Sequence, residues 1–534
     1  MSAAALISFA GFIATVILIS WLKRQKNKTA INLFFAGRRL GFLSIGCALY
    51  FTNISATEFI GGSQSAYINN MSVMAWGVSS VFAMLIVSEF IIPVYLRGKM
   101  LTTPDFLQQR YDASTKKIAS CMFLVSYTGN ILPVILYGGA VALNGIFNFS
   151  GTLHAGHFNT ICILIFFTAF IGLIYSAGGG LHAIVTLDML LALGLFTGGF
   201  LFLFFAFKHL GNGSLQQGLH TLSLLHKEHL SSIGASKDAV PFSTIFTGMI
   251  IINLFYWGTE QVIVQQALSG KNLAEIQKGI AVACMGKLLN PMLFVLPGVL
   301  AVHLMPGIEN SVEVFPRMIS LVTPPVVTGI IGAVMFGSVI TAFSATLNSA
   351  ATLFILNIYV PYKERNKIHY TETNIKSVTR RFEIYACLLA MFIAPLLFFM
   401  KEGFYTYIQK VSGCFSVPVF TIMFIGFATK WITAFAAKAG LVFCAVAYVL
   451  MEFVLNIPIH YLHKLFILFI LTILIMMIVS KLYPGKAHAE AAGHGLTLQN
   501  NRLEYWRHRH IATAVLLCLM IALFVFFSPA GIAH

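Results

Sequence analysis

The sequence predicts an all-α polytopic membrane protein, and three observations support this fold class. Hydrophobic residues make up 58% of the 534 residues, and charged residues make up 10%, against roughly 25% in an average soluble domain. The mean hydropathy is +0.84. Apolar runs of about 20 residues recur from end to end, each long enough to cross a hydrocarbon core about 30 Å thick. These features exclude a soluble enzyme and a disordered chain.

The apolar runs predict about fourteen transmembrane helices. The spans are residues 4–22, 40–67, 72–96, 118–147, 158–175, 184–207, 241–268, 280–304, 324–360, 382–400, 403–428, 432–453, 462–480 and 510–530. The first span lacks the positive leading region of a signal peptide, so we expect a retained helix. The longest polar stretches, 208–240 and 481–509, are loop-sized and leave no room for a soluble domain.

Positive charge is unevenly distributed between the two sides of these spans. With the N-terminus outside, the inner loops carry 26 of the 34 Lys and Arg residues and the outer loops carry six. This positive-inside pattern explains the net charge of +16 through topology and contact with anionic lipid, without nucleic acid. The eight cysteines form no CxxC pair, which argues against disulfides or a zinc site. We expect a multi-pass protein of a bacterial inner membrane with its N-terminus outside.

Two predicted spans are interrupted by polar residues near mid-membrane. In the second span the interruption is Asn53-Ile54-Ser55, followed by Glu58, and in the seventh it covers 253–260. The two spans stand five apart, and such a pair indicates a transporter site built on inverted repeats. We therefore expect five spans in a first repeat and five in a second. The predicted divisions are 1–39 (extra helix and basic inner loop), 40–240 (first repeat), 241–428 (second repeat) and 429–534 (three accessory helices).

Ionisable side chains at membrane depth are functional candidates, because each costs roughly 2.5 to 3.5 kcal/mol to insert. They are Glu58, Glu89, Asp188, Glu260, Lys287, Glu383, Lys410 and Glu452. Glu58 coincides with the first interruption and is expected to point into a central cavity, the alternative being a polar contact between helices. Lys287 needs a partner across the bundle, either Glu58 or a ligand. Glu383, Lys410 and Glu452 are expected near span ends or interfaces, where long side chains snorkel.

Uncharged polar and aromatic residues complete a candidate solute site. Asn253 and Gln409 carry amides that both donate and accept hydrogen bonds, which suits a polyhydroxylated solute. Aromatic faces that can pack on a sugar ring come from Trp76, Tyr256, Trp257 and Tyr405. Aromatic residues in spans more often belong to the core or to the interface belt, so each alone is a weak signal.

A candidate cation site involves Ser338 and Thr341, which are three residues apart and share a helix face. A carbonyl and a hydroxyl from this face could meet the interrupted backbone at Phe51 and Ile54, and such oxygen ligands suit sodium. The alternative is that small and hydroxyl residues let helices approach closely. Asp188, about one turn from the inner end of its span, could pass a cation to the cytosol or lie at the interface.

Several motifs follow one another in register between about residues 35 and 425. They are Asn53-Ile54-Ser55-Ala56, Gly179-Gly180-Leu181 before Asp188, Asn253-Leu254-Phe255-Tyr256-Trp257-Gly258, Gln277-Lys278-Gly279, Leu347-Asn348-Ser349 and Tyr407-Ile408-Gln409. Together they resemble the sodium:solute symporter family, specifically its sodium/sugar (glucose/galactose) cotransporter branch. The resemblance implies a LeuT-type 5+5 inverted repeat with broken first and sixth core helices, in which alternating access couples a sodium gradient to solute uptake.

The resemblance also implies roles for individual residues. Positions that contact the sugar are matched by Ser80, Asn253, Lys287 and Gln409. Tyr256 matches an aromatic inner gate held by the amide of Asn53, and Trp76 and Tyr405 fall at outer-gate positions. Sodium would be held by the carbonyls of Phe51, Ile54 and Ser338 with the Thr341 hydroxyl, and Asp188 matches an acid on the inner cation path.

Two departures from the family pattern affect these roles. Glu58 and Gly77 stand where sugar-transporting relatives usually have glutamine and glutamate, so the carboxylate of the pocket has moved from the third span to the second. Ala342 stands where a second hydroxyl ligand is usual, so the sodium site would be weaker, recruit Ser344 or water, or be lost. Glu260 also replaces a usual amide near the inner gate.

Our first hypothesis is sodium-coupled symport of a small neutral hydroxylated solute, a sugar or polyol, with Glu58 in the solute site, sodium as coupling ion and no cofactor. Alternatives are proton coupling through Glu58 or Glu260, an organic acid or other solute on the same fold, and a solute-binding receptor without flux. No nucleophile, metal or nucleotide motif appears, which argues against an enzyme. We expect a monomer or loose oligomer.

Overall fold

The computed structural model describes residues 2–22, 34–55, 57–400, 404–455, 457–484 and 503–533. These residues are almost entirely helical, and among them the single β feature is an isolated bridge between Leu40 and Gly270. The helices are α1 (Ala3–Leu22), α2 (Phe42–Asn53), α3 (Gly62–Ile68), α4 (Met71–Arg97), α5 (Thr103–Arg110), α6 (Ala113–Phe147), α7 (His157–Ser176), α8 (Leu181–Leu210), α9 (Leu215–Leu224), α10 (Gly248–Gly258), α11 (Gln261–Ala267), α12 (Leu273–Leu304), α13 (Val314–Val322), α14 (Pro325–Arg365), α15 (Glu372–Phe399), α16 (Phe404–Ala428), α17 (Ala434–Val454), α18 (Tyr461–Leu482) and α19 (Arg509–Phe526).

Eleven helices of the described part are long and apolar enough to cross a membrane. The other three predicted spans coincide with shorter apolar helices, Ala3–Ile19, Phe42–Asn53 and Gly248–Gly258. The predicted all-α polytopic fold class is therefore confirmed, while the number fourteen stays a prediction. Two of the shorter helices are the first halves of interrupted spans, which explains why they fall below the length of a crossing.

Both predicted interruptions are present in the backbone, but the second is narrower than expected. After α2, Ile54 has an extended backbone (φ −79°, ψ 100°), and helical structure resumes in a π-helical turn over Thr57–Gly61 before α3. After α10, Glu260 is extended (φ −63°, ψ 119°), and α11 begins at the next residue. Residues 253–258 remain helical, because the backbone N–H groups of Thr259 and Glu260 still bond to the Phe255 carbonyl at 2.7 and 2.9 Å. The polar residues of this segment therefore project from a helix.

Close packing of α2 against α12 positions the first interruption. At Gly46, a β-carbon would lie 2.7 Å from Val282, and at Gly286 it would lie 2.6 Å from the Tyr50 ring. Only glycine allows the two helices to approach this closely, as is common between membrane helices. Since Lys287 follows Gly286, this contact brings Lys287 beside the interrupted backbone.

Polar side chains cap the starts of two of the long helices. Asp112 accepts a hydrogen bond from the backbone N–H of Thr115 at the start of α6, and Asn272 accepts one from Glu275 at the start of α12. These caps satisfy backbone groups that a helix leaves unpaired. Burial raises the pKa of Asp112, but hydrogen bonds from Lys438 and Thr115 outweigh it and hold that pKa below its ordinary value.

Candidate solute and cation sites

A cavity of about 190 Å³ lies between the two interruptions. Its wall contains eight of the residues predicted for solute binding and gating: Asn53, Glu58, Trp76, Ser80, Asn253, Tyr256, Lys287 and Gln409. These residues were selected from the sequence for their chemistry. They come from five helices and the π-helical turn at Glu58, and together they surround one space. Trp257, Glu260 and Ala342 also line it. The side chain of Tyr405, the other predicted outer-gate residue, lies outside the described residues.

The charged residues of this cavity form a pair. Lys287 Nζ lies 3.5 Å from Glu58 Oε1, and the side chain of Lys287 is 2% exposed against 19% for Glu58. The ammonium group also lies 6.0 Å from the ring centroid of Trp257, within the range of a cation–π contact. The pair makes the cavity wall close to neutral at this point while presenting both a donor and an acceptor.

Asn290 extends this pair into a chain that sequence reasoning missed. Its Nδ2 donates to Glu58 Oε2 at 3.1 Å, and its Oδ1 accepts from the Tyr50 hydroxyl at 3.0 Å. Asn290 is 3% exposed, so both bonds are shielded from water. The signal was available, because Asn290 is three residues from Lys287 and shares its helix face.

Neutral hydrogen-bonding groups occupy a further part of the wall. Asn253 Nδ2 donates to Ser79 Oγ at 3.0 Å, which leaves its carbonyl oxygen as an acceptor, and Ser80 Oγ donates to the Gly77 carbonyl at 2.6 Å. Tyr256 follows Asn253 by almost one turn, and the Asn53 amide lies beside its hydroxyl. The two residues predicted to form the inner gate are thus neighbours.

The predicted cation residues are fully enclosed. Phe51, Ile54, Ser338, Thr341 and Ala342 are each at most 2% exposed. The Thr341 hydroxyl donates to the Ser338 carbonyl at 3.2 Å. Asp188 is 0% exposed, so neighbouring helices cover it completely, and its carboxylate lies beside the hydroxyls of Thr341 and Thr52.

The Asp188 carboxylate provides a test of whether these residues suit a cation. Neither of its oxygens accepts a hydrogen bond of normal geometry, and it forms no ion pair with a Lys, Arg or His of the described residues. A buried carboxylate is costly unless a cation or hydrogen bonds compensate it. The Thr341 hydroxyl beside it adds a neutral oxygen ligand, so this donor set fits a small hard cation such as sodium.

The other candidate carboxylates each have a polar or charged partner on a neighbouring helix. Glu260, at the second interruption, is buried and accepts a hydrogen bond from Tyr127, a residue that sequence reasoning missed. Glu383 is 3% exposed and accepts from Ser176 at 2.9 Å, and Glu452 is 7% exposed between two lysines. Glu452 lies two residues before the end of α17, as expected for a span end, and neighbouring helices cover the side chains of both Glu383 and Glu452. Glu89 pairs with Arg509 at 3.1 Å.

Comparisons with known proteins agree with this architecture. The family model of the sodium:solute symporter family matches residues 33–443. The chain is 34% identical over 486 residues to an uncharacterized symporter, YidK, of Escherichia coli, covering 91% of this chain and 85% of that protein. It is 27% identical over 461 residues to the sodium/glucose cotransporter of Vibrio parahaemolyticus, covering 81% and 82%. A Na⁺-coupled sialic acid symporter in a substrate-bound outward-open state is similar in structure, with a TM-score of 0.77 at 18% identity over 90% of this chain and 98% of that chain.

The structural likeness shows the LeuT-like fold, and the sequence matches show the family. Members of this family are membrane transporters with sodium as the coupling ion, rather than enzymes. The family model covers most of the chain, and the identity to the Escherichia coli symporter extends over nearly all of it. This multi-pass membrane protein therefore belongs to the sodium:solute symporter family.

Proposed function

We propose that the protein couples sodium entry to the uptake of a small, neutral, hydroxylated solute, a sugar or a polyol. The observation that carries this proposal is the paired charge in the cavity wall, where Glu58 and Lys287 lie 3.5 Å apart among neutral amides and hydroxyls. A hydroxyl group of the solute can donate to the carboxylate and accept from the ammonium at the same time. Asn253, Ser80 and Gln409 would add neutral contacts, and Trp76 and Tyr256 would cover the solute from its two sides.

An organic acid fits this wall less well than a neutral solute. Its carboxylate would compete with Glu58 for Lys287, and a displaced Glu58 would be left in the cavity with only Asn290 as its partner. Leaving a buried charge without its counter-ion costs several kcal/mol. Solute binding is therefore most favourable when the Glu58–Lys287 ion pair stays in place.

Sodium would bind between the first interruption and α14, held by Asp188, the Thr341 hydroxyl and the carbonyls of Phe51, Ile54 and Ser338. A cation there ties the interrupted backbone to α14, so it favours the conformation in which these elements meet. A ligand shifts a conformational equilibrium only through its different affinity for the two states. Asp188 would supply the negative charge that compensates for the missing hydroxyl at Ala342 and would also receive the ion on its inward path.

Counterflow of radiolabelled hexoses and inositols in proteoliposomes, with and without an inward sodium gradient, tests this proposal. We expect sodium-stimulated uptake that Thr341→Ala reduces strongly. Thr328→Ala is the matched control, because Thr328 lies at the start of the same helix and bonds only to Thr323 and Pro324 among the contacts of the described part. Uptake that ignores sodium, or solute binding without flux, would contradict the proposal.

Proton coupling is the second candidate, favoured by the buried Glu260–Tyr127 contact in the cavity wall. Uptake that follows pH without sodium and disappears in Glu260→Gln would support it.

We also propose a bacterial inner membrane location with the N-terminus outside, and a monomer or loose oligomer as the working unit. Labelling of an N-terminal tag in intact cells tests the orientation.

A further inference from the structure

Three charged side chains that neither site uses lie together between α16 and the hairpin formed by α17 and α18, near the turn of that hairpin. Glu452 Oε1 lies 3.1 Å from Lys410 Nζ, and Glu452 Oε2 lies 2.6 Å from Lys464 Nζ. The side chains of Glu452 and Lys464 are only 5% and 4% exposed. A buried charge is costly to leave without its partner, so each of these contacts holds the helices that it joins.

A second contact joins the same two elements one turn away. The hydroxyl of Tyr448, on α17, donates to the backbone carbonyl of Lys410 at 3.0 Å. The Tyr448 ring lies directly against the backbone at Gly413, where a β-carbon would be 2.8 Å from the ring. The segment of α16 from 410 to 413 is thus fixed to α17 by an ion pair, a hydrogen bond and close packing.

This segment is also the part of α16 that faces the cavity. Gln409, Ser412 and Ser416 line the cavity and recur at the spacing of one helix face. Lys410 directly follows Gln409, so a displacement of its backbone moves Gln409 by a similar distance.

Beside these ion pairs, the hairpin also contacts the start of α10, the other helix predicted to contact the solute. His463, near the start of α18, bonds through its two ring nitrogens to Thr247 at 3.0 Å and Ser243 at 3.2 Å. At Gly248, the first residue of α10, a β-carbon would lie 2.0 Å from the Leu462 carbonyl oxygen, so only glycine allows this approach. Since α10 carries Asn253, one hairpin holds the helices of both predicted solute amides.

We propose that the α17–α18 hairpin is a frame that fixes the separation of Gln409 and Asn253, and that Lys410, Glu452 and Tyr448 are positioning residues for solute recognition. The proposal rests on the proposed function, because it assumes that Gln409 contacts the solute. A shift of a binding group by about 1 Å is enough to weaken recognition strongly. Side chains that never touch the solute would therefore set its affinity.

Lys410→Met is the sharpest variant, because it removes the ion pair between α16 and the hairpin while Glu452 and Lys464 remain a neutral pair. We expect the KM of the transported sugar or polyol to rise roughly three- to tenfold, with the maximal rate and the sodium half-saturation concentration unchanged. Lys438→Met is the matched control, since Lys438 lies on the same α17 but pairs with Asp112 at 2.8 Å, and neither residue lines the cavity. An unchanged KM in Lys410→Met, or an equal rise in Lys438→Met, would overturn the proposal.

A double-mutant cycle separates positioning from general damage. If Lys410 acts through Gln409, Lys410→Met should have no further effect on KM in a Gln409→Ala background, and an equal rise there would contradict the proposal. If Lys410→Met fails to fold, Tyr448→Phe removes a single hydrogen bond and carries the same expectations.

The frame can be tested without any solute by the reactivity of Gln409→Cys toward a thiol reagent, followed by mass spectrometry at that position. Lys410→Met should change this rate several-fold, and Lys438→Met should not. An unchanged rate contradicts the frame. A changed rate in a protein that transports no sugar or polyol would support the frame and contradict the proposed function.

Discussion

Removing the carboxylate of Glu58 should destabilise the protein through Lys287. In Glu58→Gln, the Lys287 side chain keeps its 2% exposure but loses the carboxylate 3.5 Å away. Breaking a buried ion pair by removing one partner costs about 3 to 5 kcal/mol. Because 3.5 Å is longer than the roughly 2.7–2.9 Å of a strong charge-assisted hydrogen bond, we expect a loss near the lower end of this range.

The double variant Glu58→Gln with Lys287→Met distinguishes an uncompensated charge from a packing defect. It removes both charges, and replacing a buried pair by apolar groups is often close to neutral in stability. We therefore expect the double variant to be more stable than Glu58→Gln while transport stays lost, because both solute contacts are gone.

Thermal unfolding of the purified protein in detergent measures both effects, with Asp112→Asn as a control that removes an ion pair of 27–30% exposed side chains. A double variant no more stable than Glu58→Gln would refute the reasoning. It would mean that the Lys287 ammonium is already solvated or compensated by another group.

Four further predictions follow from the same contacts. Asp188→Asn should abolish sodium stimulation of uptake but leave equilibrium solute binding at saturating concentration, because Asp188 does not line the cavity. Loss of solute binding together with sodium stimulation would contradict this prediction. Asn290→Ala should raise the solute KM about tenfold by releasing Glu58 Oε2. Tyr67→Phe should not, because the Tyr67 hydroxyl bonds to the Met305 carbonyl and the Ile308 N–H, and none of these residues lines the cavity. Tyr127→Phe should weaken transport by removing the hydroxyl that bonds to Glu260, and unchanged uptake rates would show that this contact has no role. The pKa of Asp112 is lowered in the folded protein, so its contribution to stability is present above the ordinary aspartate pKa and is lost as pH falls through the lowered value. Between pH 3 and 7, the unfolding temperature of Asp112→Asn should therefore fall less toward acid pH than that of the wild type. Parallel curves would contradict this prediction.

The sequence predicted most of the fold because hydropathy and charge act along the chain. Run length identified the crossings, and polar residues inside apolar runs located both interruptions. The same reasoning predicted a partner for Lys287 across the bundle, since no carboxylate lies near it on its own helix. A buried charge that has no opposite charge nearby on its own helix predicts a partner on another helix.

The contacts that sequence reasoning missed depend on how helices rotate and pack. Hydropathy places Glu452 and Lys464 near the outer ends of accessory spans, but it does not tell which side of a helix is covered. The close approach of α17 to α18 and α16 buries both side chains and brings them within ion-pair distance. Tyr127 gave no signal either, because a tyrosine inside a span is usually part of the core. Helix packing also explains why the second interruption is shorter than predicted. Residues 253–258 stay helical, and neighbouring groups bond to their polar side chains.

The central claim is that sodium at Asp188 and Thr341 is coupled to a neutral hydroxylated solute at Glu58 and Lys287. The most direct test measures ²²Na⁺ entry into proteoliposomes as hexoses and inositols are added outside, in the wild type and in Asp188→Asn. We expect solute-stimulated sodium entry in the wild type and none in Asp188→Asn. Solute entry that carries no sodium, or stimulated sodium entry that survives Asp188→Asn, would contradict it.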